Sequence, residues 1–164
     1  MIAITYGTRP EFLKVYPLIL EAKKRKLNFI TINTGQHTSM LSEMEDLFSF
    51  KADHYLKVQN NSFSNSNLLA KLIDTIAEVI KKENVTKIIA QGDTFTVLAS
   101  SMVAFLEKKE FYHIEAGLRT DDIRFPFPEE YNRRLVSLTT TINFAPSELS
   151  QRNLLAEKIN SEKI

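Results

Sequence analysis

Short apolar runs alternate with longer stretches of helical spacing along the chain, and most runs stop at or near a glycine. Ile2–Tyr6 reads as a strand ending at Gly7. Pro10 suits the first turn of the helix that follows, where a missing N–H costs nothing. Phe12, Val15, Tyr16, Ile19 and Leu20 share one face of that helix, which runs to about Lys26. Pro17, inside it, predicts a kink. A second strand, Phe29–Asn33, ends at Thr34 and Gly35; Met40, Leu41, Met44, Leu47 and Phe48 then return at helical spacing, and residues 55–58 form a short strand. Residues 59–67, rich in Asn and Ser, read as a loop. Residues 68–82 are the clearest amphipathic helix, with Leu68, Leu72, Ile73, Ile76, Val79 and Ile80 as a packed stripe. Strands follow at 87–90, 111–115 and 141–145. Helices follow at 94–108, from about 129, and after Ser147, which caps the last.

This β-α alternation predicts an α/β fold: a Rossmann-like parallel sheet with helices on both faces. Right-handed crossovers bring the C-terminal ends of all the strands to one edge, where ligands of open α/β sheets bind. Composition narrows the field. With 21 Lys+Arg against 20 Asp+Glu, the net charge of +1 makes no case for nucleic acid or an anionic membrane. The absence of cysteine removes disulfides, thiolate nucleophiles and Cys-based metal sites, and fits a cytoplasmic protein. No apolar run approaches the roughly 18 residues of a membrane span, and the first residues lack the basic region and cleavage site of a signal peptide.

The candidate chemistry crowds the strand-to-helix junctions: Gly7-Thr8-Arg9-Pro10-Glu11, Thr34-Gly35-Gln36-His37, Gln91-Gly92-Asp93-Thr94, His113 to Thr120, and Pro126-Phe127-Pro128-Glu129-Glu130 with Asn132 and Arg133. Turns are needed there, but not acids and bases in turn after turn. The first junction is neither a G-x-G-x-x-G fingerprint nor a Walker A loop, so NAD binding has little support. It still offers an anion the N–H groups of a helix N-terminus, with Arg9 as a planar cationic fork and an ion pair to Glu11 as the alternative. Lys14 lies one turn into the helix. Asp93 either caps the helix at Thr94 or does chemistry. Glu115 ends a strand among apolar neighbours and needs a partner, Arg119 being one candidate. Glu129 and Glu130 open a helix, where acids also suit the dipole. Three carboxylates from different junctions suggest general acid–base chemistry, since close carboxylates push one pKa upward and leave one group protonated beside an ionised one. His37 and His113 lack metal-ligand spacing and read as structural or substrate-binding. No G-x-S-x-G elbow is present.

These segments, as GTRPEFLKVYPLI, TGQH, QGDT, HIEAGLRT, PFPEEYNRR and FAPSE, resemble the non-hydrolysing UDP-N-acetylglucosamine 2-epimerases in order and spacing over essentially the whole chain. The intact Gly-Thr-Arg-Pro-Glu turn sides with the non-hydrolysing branch. The resemblance implies one half of a glycosyltransferase-B-type fold. It also implies interconversion of UDP-GlcNAc and UDP-ManNAc by anti elimination of UDP, with 2-acetamidoglucal as intermediate, and re-addition after C2 is reprotonated on the other face. No cofactor or metal is implied. By motif, Asp93, Glu115, Glu129 and Lys14 are carried over as catalytic residues, and Arg9, Arg133 and His113 as substrate-binding ones. Gln36 and His37 fall where bacterial members bind an activating second UDP-GlcNAc, although Thr38 and Ser39 stand where many relatives have an arginine and an acid or amide. Members run to roughly twice this length. The reading is therefore of residues 1–164 as the N-terminal domain, whose partners are a UDP-sugar, a C-terminal domain in cis or trans, and a second copy in a homodimer. Alone it is expected to be inactive. The competing reading is a non-catalytic module that binds a sugar nucleotide or a protein.

Overall fold

The computed structural model describes residues 1–35, 39–58, 64–120 and 122–164, with the backbone alone at 39 and 40. Strands β1 (Ile2–Tyr6), β2 (Phe29–Asn33), β3 (His54–Tyr55), β4 (Lys87–Gln91), β5 (Glu110–Ile114) and β6 (Ile142–Phe144) alternate with helices α1 (Arg9–Lys24), α2 (Ser39–Leu47), α3 (Asn65–Lys82), α4 (Phe95–Leu106), α5 (Glu129–Thr139) and α6 (Glu148–Ala156). All pairings are parallel, in the order β3-β2-β1-β4-β5-β6. The order reverses between β1 and β4, which opens a crevice beyond their C-terminal ends.

Period-2 alternation decides what each face holds. From β1, Ala3 joins a core with Ile30 and Ile32 of β2, Ile88 and Ala90 of β4, and the buried faces of α3, α4 and α5. Ile4 and Tyr6 point the other way and pack on Phe12, Val15 and Ile19 of α1 and Leu41 of α2. Helices thus cover both faces, as the alternation predicts. Helix α4 is buried almost all round, and its hydroxyls find partners: Ser100 bonds Thr5 of β1 at 2.9 Å, Thr96 bonds Thr34 just past β2 at 2.8 Å, and Ser101 donates to Leu98 O within the helix at 2.8 Å. Beyond α1, Ile89, Tyr112, Ile114 and Phe144 line an open apolar groove of ≈ 380 Å³ with Ile2 and Leu18.

Local signals set the element ends. Thr8 caps α1, with the Glu11 carboxylate reaching back to its N–H, and Arg9 and Pro10 begin the helix. Ser64, Thr94 and Ser147 cap α3, α4 and α6. Thr94 is therefore the cap of α4, and Asp93 is not. Helix α3 starts at Asn65, inside the stretch expected to be a loop, because Ser64 accepts from the Asn67 N–H. Leu20, expected on the buried face of α1, is half exposed; the buried stripe runs from Ile19 to Ala22 instead.

Candidate active site

A cleft of ≈ 300 Å³ lies at the β1/β4 reversal. Its walls come from Thr8, Glu11 and Lys14 after β1, Gln91 to Thr94 after β4, Glu115 and Leu118 after β5, and Arg133 on α5. That volume is at the lower end of the range for small-molecule sites.

Two ion pairs cross the cleft walls. Lys14 Nζ sits 2.5 Å from Glu115 Oε2. Gln91 Nε2 donates to the same carboxylate oxygen. Arg133 binds Asp93 Oδ2 through Nε at 2.8 Å and Nη2 at 2.7 Å. The carboxylates of Glu115 and Asp93 keep about a quarter of their surface exposed, so each is held yet reachable. Arg133 is braced from behind by Glu130, which is fully buried and also holds Arg134 at 2.8 Å and the Thr120 N–H at 3.1 Å. Glu115 has φ +66. Most other non-glycine residues at positive φ, such as Lys26, Asn84 and Lys108, follow helix ends, whereas Glu115 follows a strand in the cleft. Backbone strain of that kind concentrates where a side chain must be aimed.

The floor is polar and closed. Glu11, 2% exposed, accepts at one oxygen from the Gly7 and Thr8 N–H groups, both at 2.8 Å, and at the other from Thr94 Oγ1. Burial raises its pKa, and the bonds from Thr94, Gly7 and Thr8 oppose that rise. It stitches the first junction to the β4 junction. This overturns one expectation: the Gly7 and Thr8 N–H groups do not await an anion, because an internal carboxylate already takes them. Beneath the cleft, His113 is 1% exposed. Its Nε2 lies 2.7 Å from the Gly92 carbonyl, which can only accept, so Nε2 carries the proton. Its Nδ1 is buried and has no partner among the described residues. Burial chiefly, and Arg119 secondarily, push its pKa down to about 4, against the pull of the Gly92 bond and of Asp93 and Glu115.

The structure thus gathers Lys14, Asp93, Glu115 and Arg133 into one cleft. His113, expected to bind substrate, lies under the cleft instead, because period 2 puts it on the face of buried Phe111. Arg9 is exposed, and neither it nor the half-buried Glu129 lines the cleft. Gln36 and His37 lie outside the described residues. Arg119 is not the partner of Glu115: it forms a two-pronged pair with Glu157 of the α6 C-terminus, 2.8 Å at each prong, and bonds Ser137. Gln91, Glu11, Glu130 and Asn132 support the site, although the sequence suggested no role for Gln91 and Asn132 beyond their motifs and, for Glu11, only an ion pair with Arg9. No group of His, Asp and Glu able to hold a metal occurs among the described residues, and no helix of the described residues is long and apolar enough to cross a membrane.

The family model for UDP-N-acetylglucosamine 2-epimerase matches residues 20–164. The chain belongs to this family. It is 41% identical over 162 residues to the UDP-N-acetylglucosamine 2-epimerase of Neisseria meningitidis, covering 97% of this chain and 43% of the relative. The crystal structure of a Neisseria meningitidis UDP-GlcNAc 2-epimerase bound to UDP-GlcNAc superposes with a TM-score of 0.93 at 39% identity, over 99% of this chain and 44% of that one. The Methanocaldococcus jannaschii enzyme in complex with UDP-GlcNAc and UDP gives 0.93 at 34% identity, over 99% and 45%. The chain therefore spans less than half the length of these relatives and corresponds to their N-terminal half. Acinetobacter baumannii MurG, at 10% identity and a TM-score of 0.62, shares the fold alone. With the epimerases it identifies the chain as one half of a glycosyltransferase-B-type fold.

Proposed function

We propose that this chain is the acid–base wall of a UDP-N-acetylglucosamine 2-epimerase that interconverts UDP-GlcNAc and UDP-ManNAc, and that it turns over substrate only with a second, C-terminal half. The carrying observation is the pair of salt-bridged carboxylates, Glu115 with Lys14 and Asp93 with Arg133, facing one cleft at the strand-order reversal. Epimerisation at C2 needs one group to take a proton and another to return it on the opposite face. In the elimination, the C2–H and C1–O bonds break as C1=C2 forms and UDP leaves; re-addition reverses this. Glu115 and Asp93 divide the proton steps, and Lys14 and Arg133 steady the charge that develops on the departing diphosphate. A hollow of ≈ 300 Å³ suits the sugar, leaving the uridine and most of the diphosphate to the other half. That related structures hold UDP-GlcNAc supports the ligand class.

The test uses the chain assembled with the C-terminal half, supplied as a fusion or in trans. Glu115→Gln and Asp93→Asn should each lower turnover by about 10²–10⁴-fold with unchanged circular dichroism. Wild-type rates in both variants would remove the case for carboxylate catalysis.

A further inference from the structure

Asp93 can serve chemistry only if the Gly92–Asp93 turn is held still, and two buried side chains grip that turn from below. His113, on β5, donates from Nε2 to the Gly92 carbonyl at 2.7 Å. Asn132, on α5 and fully buried, donates from Nδ2 to the next carbonyl, Asp93 O, also at 2.7 Å. Gly92 takes φ +89, and its N–H is tied to Ile114 O at 3.0 Å. Successive carbonyls of one turn are thus clamped from two different elements, while Arg133, the neighbour of Asn132 on α5, holds the carboxylate itself. Helix α5 therefore grips Asp93 at both its backbone and its side chain.

Neither clamp is accounted for by ordinary packing. A histidine buried beside Phe111 whose Nδ1 has no partner among the described residues, and an asparagine whose Oδ1 has none among them either, each leave one polar atom unsatisfied. Burying such an atom is unfavourable, and an apolar residue of similar size would avoid it. What the two side chains have in common is the donor they present to the turn.

We infer that His113 and Asn132 are positioning residues that fix the Gly92–Asp93 turn and so aim the Asp93 carboxylate into the cleft. This rests on the reading of Asp93 as an acid–base residue, but the clamp itself can be tested without it. His113→Gln keeps a donor within reach of Gly92 O; His113→Phe and Asn132→Ala remove one. In the 164-residue chain, NMR follows the Arg133 Nε–H proton, which donates to Asp93, together with the Gly92 and Asp93 amides. Loss of one clamp should speed solvent exchange of the Arg133 Nε–H by about tenfold, the value of one buried hydrogen bond. His113→Gln should restore slow exchange. If His113→Phe does not fold, Asn132→Ala carries the same comparison. Unchanged Arg133 exchange in a folded donor-less variant overturns the inference, as does equal loosening by His113→Gln and His113→Phe. In the assembled enzyme the donor-less variants should lower kcat with little change in KM. A chain that passes the exchange test but shows no turnover with its C-terminal half would count against the proposed function and leave the clamp standing.

Discussion

Gly92 and Gly117 adopt almost the same left-handed backbone, φ +89 and +88, so replacing either with alanine incurs a similar conformational cost of about 1–2 kcal/mol. Their surroundings differ. A Cβ on Gly92 would meet no atom of the described residues within 4 Å, whereas one on Gly117 would lie 2.3 Å from the Ser150 carbonyl oxygen and 2.8 Å from its carbon. Those atoms are backbone of α6 and cannot rotate aside. The helix is also pinned nearby by Asn153 donating to Gly117 O at 2.9 Å and by the Arg119–Glu157 pair. Gly117→Ala must therefore lift α6 or strain it, adding roughly 2 kcal/mol to the conformational term. Urea unfolding of the 164-residue chain reads the difference directly. In thermal melts it should appear as a midpoint about 4–8 °C lower for Gly117→Ala than for Gly92→Ala. Equal losses in the two variants would refute the packing of α6 onto the turn that follows β5.

Two further outcomes test the floor of the site. Folded His113 stays neutral down to about pH 4, while in the unfolded chain a histidine takes a proton near 6.5. The unfolded state therefore binds the extra proton between these values, and stability contributed by His113 falls as pH drops through that window, by up to about 3 kcal/mol. Subtracting the pH profile of His113→Gln isolates this term; parallel profiles would contradict the burial of the ring. Glu11→Ala strips partners from the Gly7 and Thr8 amides and the Thr94 hydroxyl, and should cost about 2–4 kcal/mol, with faster hydrogen exchange at those two amides. Unaltered exchange there would show that Glu11 does not organise the turn.

The layout of the sheet was legible because apolar alternation and helical spacing are local signals, and so were caps such as Ser147. Pairing was not. Arg119, four residues from Glu115, was the natural candidate partner, yet the chain turns through left-handed Gly117 and carries Arg119 away to Glu157. The actual partner, Lys14, is 101 residues distant, and only the β1-β4-β5 order of the sheet, which leaves a single strand between them, brings the two junctions to one cleft. Asp93 was read as a possible cap because caps are short-range, but Thr94 stands one residue closer to the helix and takes that place. His113 shows the reverse: its burial follows from sharing a strand face with Phe111, a period-2 signal present in the sequence that its company in a polar motif obscured.

The most direct test of the central claim is isotopic. The chain, assembled with its C-terminal half and given UDP-GlcNAc in deuterated water, should yield UDP-ManNAc carrying deuterium at C2, and Glu115→Gln should abolish that incorporation. Epimerised product that retains the original C2 hydrogen would contradict proton transfer at this cleft.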